Sequence, residues 1–177
     1  MGLNAQPSGE RVHIGFFGLR NAGKSSVVNR VTGQTMSIVS DVKGTTTDPV
    51  QKAMELLPIG PVVIIDTPGI DDEGTLGEER VRRALRVLEK TDIAVLVTDS
   101  TRGLQPAEQE LIELFRKREI PFVIAHNKAD LTSVPAAMPE NEIYVSAAAD
   151  SNIRELKELI ARAVKPIEPE KRLVADL

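Results

Sequence analysis

Three short segments carry residue types suited to holding a nucleotide. Gly18-Leu-Arg-Asn-Ala-Gly23-Lys24-Ser25 fits the pattern G-x-x-x-x-G-K-[ST]. Glycines let a backbone wrap closely round a phosphate chain, so that successive N–H groups point at its oxygens. A helix opening at that point adds the positive end of its dipole. On this reading Asn21, Ala22 and Gly23 face the phosphates, and Lys24 bridges the β- and γ-phosphates. The Ser25 hydroxyl ligates Mg²⁺, and Ser26 reaches the α-phosphate. Asn127-Lys128-Ala129-Asp130 suits recognition of a base. A carboxylate at Asp130 accepts from guanine N1–H and the 2-amino group. Adenine offers neither donor and would leave that carboxylate desolvated and unpaired, a difference worth roughly 10⁴ or more. Asn127 braces the loop and contacts the base, and the Lys128 stem lies over the ring face. Backbone N–H groups of Ser146 and Ala147 are expected to reach guanine O6. The third segment, Asp66-Thr67-Pro68-Gly69, suits a Mg²⁺-bound water at Asp66 and a γ-phosphate contact from the Gly69 N–H. Its Pro-Gly pair is equally compatible with a plain turn.

A threonine-rich stretch, Gly44-Thr45-Thr46-Thr47-Asp48, lies between the first and third segments. It can supply a second hydroxyl for Mg²⁺ and a further N–H for the γ-phosphate. Composition does not say which threonine binds the metal. Together with Asp66, Thr67, Pro68 and Gly69 it forms the candidate switch.

Such groups need a scaffold that brings distant segments to one edge. Short apolar runs at Val12–Phe17, Val62–Ile65, Ile93–Val97, Phe122–Ala125 and Ile143–Val145 are β-branched and nearly continuous, as strands buried on both faces of a parallel sheet are. Met54–Leu57 is a further strand, close enough to pair with Val62 in a hairpin and so to form an antiparallel edge. Helical spacing separates the runs. Val27, Val28 and Val31 share a face that Gly33 ends, and Val81, Leu85 and Leu88 follow a capping box at Thr75-x-x-Glu78. Leu111, Leu114 and Phe115 follow Pro106, and Asn152-x-x-Glu155 opens a last helix with Ile153, Leu156, Leu159 and Ile160 inward. The alternation predicts an α/β fold, a three-layer doubly wound sandwich with a mostly parallel sheet, whose ligands bind at the carboxyl ends of the strands. The domain is expected over residues 11–164. Residues 1–10 read as a disordered N-terminus, and 165–177 as a linker or tail.

Composition narrows the chemistry. The 177 residues include no cysteine, which excludes disulfides, thiolate metal sites and an iron–sulfur cluster held by cysteine in this chain. Two histidines, His13 and His126, read as packing or loop residues. A net charge of −4 and 3% aromatic content argue against nucleic acid as a partner. No apolar run reaches the roughly 18 residues of a membrane span, so a cytoplasmic location is expected.

These boxes resemble the P-loop GTPases, and among them the TrmE/Era-like branch, which shows N-x-G-K-S, a G-x-T motif and D-T-x-G. Here they are Asn21-Ala-Gly-Lys-Ser25, Gly44-Thr-Thr46 and Asp66-Thr-Pro-Gly69. The resemblance implies a P-loop GTPase fold with GTP or GDP as ligand, and makes Thr46 the Mg²⁺ ligand and, with Lys24, a catalytic residue. A narrower match covers Gly44-Thr-Thr-Thr-Asp-Pro-Val50, Pro58-Ile-Gly-Pro61 and the run from Ile65 to Gly77. It closely resembles the HydF family, the GTPase that helps mature FeFe hydrogenase. That resemblance implies a nucleotide switch whose dimerisation and cluster-binding domains lie outside this chain. It further implies a homodimer and the other hydrogenase maturases as partners. An RNA-, ribosome- or tRNA-modification-linked GTPase of the TrmE/Era type is the alternative.

Ras-type enzymes orient water with a glutamine just after D-x-x-G. Ile70 stands there in this chain and cannot do so, which predicts slow intrinsic hydrolysis. In the resembled branch a P-loop asparagine ligates K⁺, and Asn21 occupies that position. A cation beside the β–γ bridge offsets charge developing there. Lys43 lies in the loop expected to complete that site, and Thr47 stands where TrmE and Era groups carry arginine. The acidic run Asp71-Asp72-Glu73 reads as a loop, and Arg80, Arg82, Arg83 and Arg86 as a solvated helical face.

Overall fold

The computed structural model describes residues 11–34, 50–67 and 77–164. Its strands are β1 (Val12–Gly18), β2 (Val50–Leu56), β3 (Gly60–Asp66), β4 (Ile93–Asp99), β5 (Phe122–Asn127) and β6 (Glu142–Tyr144). The helices are α1 (Lys24–Thr32), α2 (Gly77–Leu88), α3 (Pro106–Lys117) and α4 (Ile153–Val164). The six strands form one sheet in the order β2-β3-β1-β4-β5-β6. Every pairing is parallel except β2 with β3, a hairpin that leaves β2 as an antiparallel edge. The three-layer, mostly parallel architecture is the one the alternating pattern implies.

The central strands β1, β3, β4 and β5 are covered on both faces, whereas the edge strand β2 exposes Gln51, Lys52 and Glu55. Alternate residues feed two cores. Ile14, Val62, Ile64, Ile93, Val95, Val97, Val123 and Ala125 pack with α1 and α4. Phe17, Val63, Ile65, Ala94, Leu96 and Ile124 pack with α2 and α3. Strand periodicity therefore survives as a choice of core rather than as an inside and an outside. Each buried aliphatic side chain contributes about 1.5–3 kcal/mol, so β4, buried along its whole length, anchors both layers.

Helix faces follow the expected stripes with local differences. In α2 the fully buried residues are Ala84, Val87 and Leu88, and Leu85 is only partly buried. A small residue lets that helix lie close to the sheet, which a count of large apolar residues overlooks. α3 starts with a capping box in which Gln105 and Glu108 cap each other's backbone, and Pro106 follows directly. Asn152 stands directly before α4, and its carbonyl accepts the Leu156 N–H at 3.0 Å. It sits at φ 62°, and its side-chain amide donates to the Tyr144 carbonyl at 2.9 Å. The strands run one or two residues past the apolar runs into polar residues, and this carries Asp66, Asp99 and Asn127 to the carboxyl edge of the sheet. Expectations for residues 1–10 and 165–177 lie outside the described residues, as does Thr75.

Candidate functional site

The Gly18–Lys24 segment folds as a loop between β1 and α1. Leu19 leads into a short 3-10 turn over Arg20–Ala22, closed by the Ala22 N–H on the Leu19 carbonyl at 3.0 Å. Gly23 then adopts φ 83°, a left-handed conformation that costs a side-chain-bearing residue. A Cβ there would also run into the Asn127 side-chain amide. Glycine is needed at this point for both reasons, and the second ties the phosphate-loop motif to the base-loop motif.

Lys24 lies at the first turn of α1 and is buried. Its Nζ donates to Asp66 Oδ1 at 2.7 Å and to the Thr67 carbonyl at 3.0 Å. Asp66 ends β3 and is also buried. Because β3 is hydrogen-bonded directly beside β1, its end comes up against the start of α1. Thr67 is fixed by its hydroxyl, which donates to the Phe16 carbonyl at 3.2 Å. Ser25 and Ser26 are exposed in the same turn, and their hydroxyls bond to no described group.

Asn127 ends β5 and joins three loops. Its amide donates to the Ala22 carbonyl at 2.9 Å, and its side-chain oxygen accepts the Ala147 N–H at 3.1 Å. Lys128, at φ 65°, reaches back over the phosphate loop: its ammonium donates to the Asn21 carbonyl at 2.8 Å and to Asp99 Oδ2 at 3.1 Å. Asp130 is exposed, and its Oδ1 accepts the Ser146 hydroxyl at 2.8 Å, which orients the carboxylate and leaves Oδ2 without a described donor.

The Ser146 and Ala147 amides differ from the expectation. The Ser146 N–H donates to the Ser151 carbonyl at 3.0 Å in a small bridge, and the Ala147 N–H is taken by Asn127. The loop is tightened by its own backbone pairing. Ser146 contributes its hydroxyl to Asp130 instead, and Ala148 is the next exposed residue whose N–H has no described acceptor. Arg30 on α1 holds the same loop through the Ala147 carbonyl at 2.7 Å.

Four contributors escaped sequence reasoning: Asp99, Thr101, Glu108 and Arg30. Asp99 ends β4, and its Oδ1 accepts both the N–H and the hydroxyl of Thr101, at 2.9 and 2.6 Å. Burial pushes its pKa up, but the Thr101 donors and the Lys128 ammonium outweigh burial and hold it below the ordinary value. Glu108 is 1% exposed and accepts the Gln105 N–H at 2.7 Å and the Thr98 hydroxyl at 3.3 Å. Burial dominates there and raises its pKa, against those two donors and Arg102. A cleft lined by Asn21, Ala22, Asp99, Arg102, Gln105 and Glu108 separates α3 from the phosphate loop. The available signal was position: a charged residue directly after a buried apolar run at the carboxyl edge.

His126 stacks on Tyr144 with ring centroids 4.6 Å apart and bonds Glu142 at 2.9 Å, and His13 bonds the Arg11 carbonyl. Both are occupied in packing, as read. The switch residues Gly44, Thr45, Thr46, Thr47, Asp48, Pro68 and Gly69, together with Lys43, Ile70 and the run 71–73, lie outside the described residues.

The donor set fits a magnesium nucleotide. A glycine-shaped cradle, a buried lysine and a buried strand-end carboxylate converge with an exposed helix-start serine. Phosphate-loop and base-loop residues are joined through Asn127 into one site. Fold and site together define a P-loop GTP-binding domain.

Comparison with known proteins agrees: residues 13–128 match the family described as 50S ribosome-binding GTPase, and the chain belongs to that family. It is 35% identical over 149 residues to the tRNA modification GTPase MnmE of Legionella pneumophila, covering 83% of this chain and 33% of that protein. It is 41% identical over 125 residues to GTPase Der of Maridesulfovibrio salexigens, covering 68% of this chain and 27% of Der. The chain thus spans a third or less of these relatives. Among solved structures, Aquifex aeolicus Era bound to GDP and AlF4⁻ superposes with a TM-score of 0.69 at 26% identity, over 88% of this chain and 57% of Era. None of the described helices is long and apolar enough to cross a membrane.

Proposed function

We propose that this domain binds GTP with Mg²⁺, hydrolyses it slowly, and serves as the nucleotide switch of a larger protein of the MnmE, Der and Era kind. The observation that carries this reading is the Asn127 bridge, which joins the Ala22 carbonyl to the Ala147 amide and so sets phosphate loop and base loop at one site. Family membership supports GTP and GDP as ligands.

In this mechanism the chain's own groups bind and orient. Asp130, aligned by Ser146, accepts from guanine, and the Lys128 stem covers the ring. Lys24 leaves Asp66 for the phosphates. Ser25 and Thr46 would hold Mg²⁺ directly, with Asp66 acting through water. The metal supplies charge neutralisation at the phosphate oxygens. K⁺ is part of the proposal through Asn21, whose exposed side chain bonds to no described group and whose carbonyl is already held by Lys128. The cation would offset charge at the β–γ bridge.

The matched family is described as 50S ribosome-binding GTPase and one relative named above is a tRNA modification GTPase, so a tRNA- or ribosome-linked role is the better supported setting. Hydrogenase maturation is the second reading. It rests on the resemblance of residues 40–80 to the HydF family, of which 40–49 and 68–76 lie outside the described residues. A homodimer and partner maturases belong to that second reading.

A phosphate-release assay with GTP and with ATP tests the activity. Turnover of GTP and not ATP is expected. Equal use of both nucleotides, or none of either, overturns the proposal.

A further inference from the structure

The carboxyl end of β4 holds a buried carboxylate that none of the nucleotide motifs includes. Asp99 lies in register with Asn127 across the β4–β5 pairing, so it faces the base loop from the neighbouring strand. The two Thr101 donors take one of its oxygens and fix its rotamer. Its other oxygen accepts the Lys128 ammonium at 3.1 Å. The same ammonium lies 2.8 Å from the Asn21 carbonyl. A lysine on a flexible four-carbon stem is thereby stretched between the end of β4 and the back of the phosphate loop.

From this geometry we infer that Asp99 is a positioning residue for nucleotide retention. It holds Lys128 against the phosphate loop, so that the lysine stem forms a standing wall of the base site. The inference rests on the GTP-binding reading above and deepens it. Asp99 does not touch the nucleotide and acts through Lys128. The Lys128–Asn21–Asp99 contacts are separate from the Lys24–Asp66 pair, which serves the phosphate and metal end. Loss of Asp99 therefore speeds nucleotide release and leaves the chemical step alone.

The test follows dissociation of a fluorescent GDP analogue from the full chain. Asp99→Asn keeps the side chain's shape and an acceptor for Thr101 but removes the charge facing Lys128. A charge-assisted hydrogen bond of this kind predicts about tenfold faster release, with association and the turnover number at saturating GTP within about threefold. Lys128→Met gives a similar rise, and adding Asp99→Asn to it changes nothing further. Unchanged release from Asp99→Asn, or fully additive rises in the double variant, overturns the inference. Should Asp99→Asn fail to fold, Thr101→Val takes its place. It removes one of the groups that fix Asp99, and predicts about threefold faster release that vanishes in the Lys128→Met background. No change there also overturns it. Retention of GDP by the wild type with unaltered release from the variants rejects only the role of Asp99. A wild-type chain that retains no guanine nucleotide rejects this inference and the reading beneath it.

Discussion

Lys24 and Asp66, 42 residues apart in the chain, meet as a buried ion pair with Nζ 2.7 Å from Oδ1. Each is the residue the nucleotide motifs assign to a different task, the lysine to phosphate and the carboxylate to the metal's water. Folded together, each satisfies the other. A buried charge without a partner is costly, and the pairing removes that cost for both side chains.

The proposed metal role of Asp66 is measurable. In Asp66→Ala the gain in GDP affinity on adding Mg²⁺ falls by about tenfold or more, because the water-mediated metal contact is gone. Affinity in EDTA holds or rises, since Lys24 no longer has to leave a carboxylate. Titration calorimetry in Mg²⁺ and in EDTA checks both arms. An undiminished Mg²⁺ effect would remove Asp66 from the metal site.

Base choice should follow Asp130. Asp130→Asn trades an acceptor for a donor opposite guanine N1–H, which weakens GDP by about 100-fold or more and admits xanthosine diphosphate. Competition binding with the two diphosphates reads the change directly. Retained guanine preference contradicts the assignment.

Potassium dependence should follow Asn21. Phosphate release from GTP is expected to run about tenfold faster in KCl than in NaCl, and Asn21→Ala should erase the difference. Equal turnover of the wild type in the two salts sinks the potassium proposal while leaving GTP hydrolysis intact.

Two buried carboxylates give opposite pH dependences. Burial raises the pKa of Glu108, so the stability it adds is full below its ordinary value and lost as pH rises through the raised one. Asp99 is held below its ordinary value, despite burial, and its contribution is present above the ordinary value and lost in acid. Glu108→Gln, which cannot ionise, should therefore gain in melting temperature relative to the wild type as pH climbs from about 4 toward 7. A pH-independent difference between the two proteins would refute this.

Much of the fold was written locally. Alternation of β-branched runs with helical stripes, Gly33 ending α1 and Pro106 opening α3 are short-range signals, because helix period and capping act within a few residues. The chemistry of the site was equally local: Gly23-Lys24, Asp66 and Asn127-x-x-Asp130 stand at element ends that the sequence itself marks. What the sequence could not express is adjacency. Only the order β2-β3-β1-β4-β5-β6 sets β3 beside β1 and so brings Asp66 to Lys24. Only the β4–β5 register brings Asp99 to Lys128, and only the folded loop shows Ser146 donating its hydroxyl to Asp130 while its amide serves Ser151. Residue types and their spacing determined which groups this protein carries to the edge of its sheet. Tertiary structure decided which of them touch, because a hydrogen bond between distant segments depends on strand order, register and side-chain direction, none of which has a period along the chain.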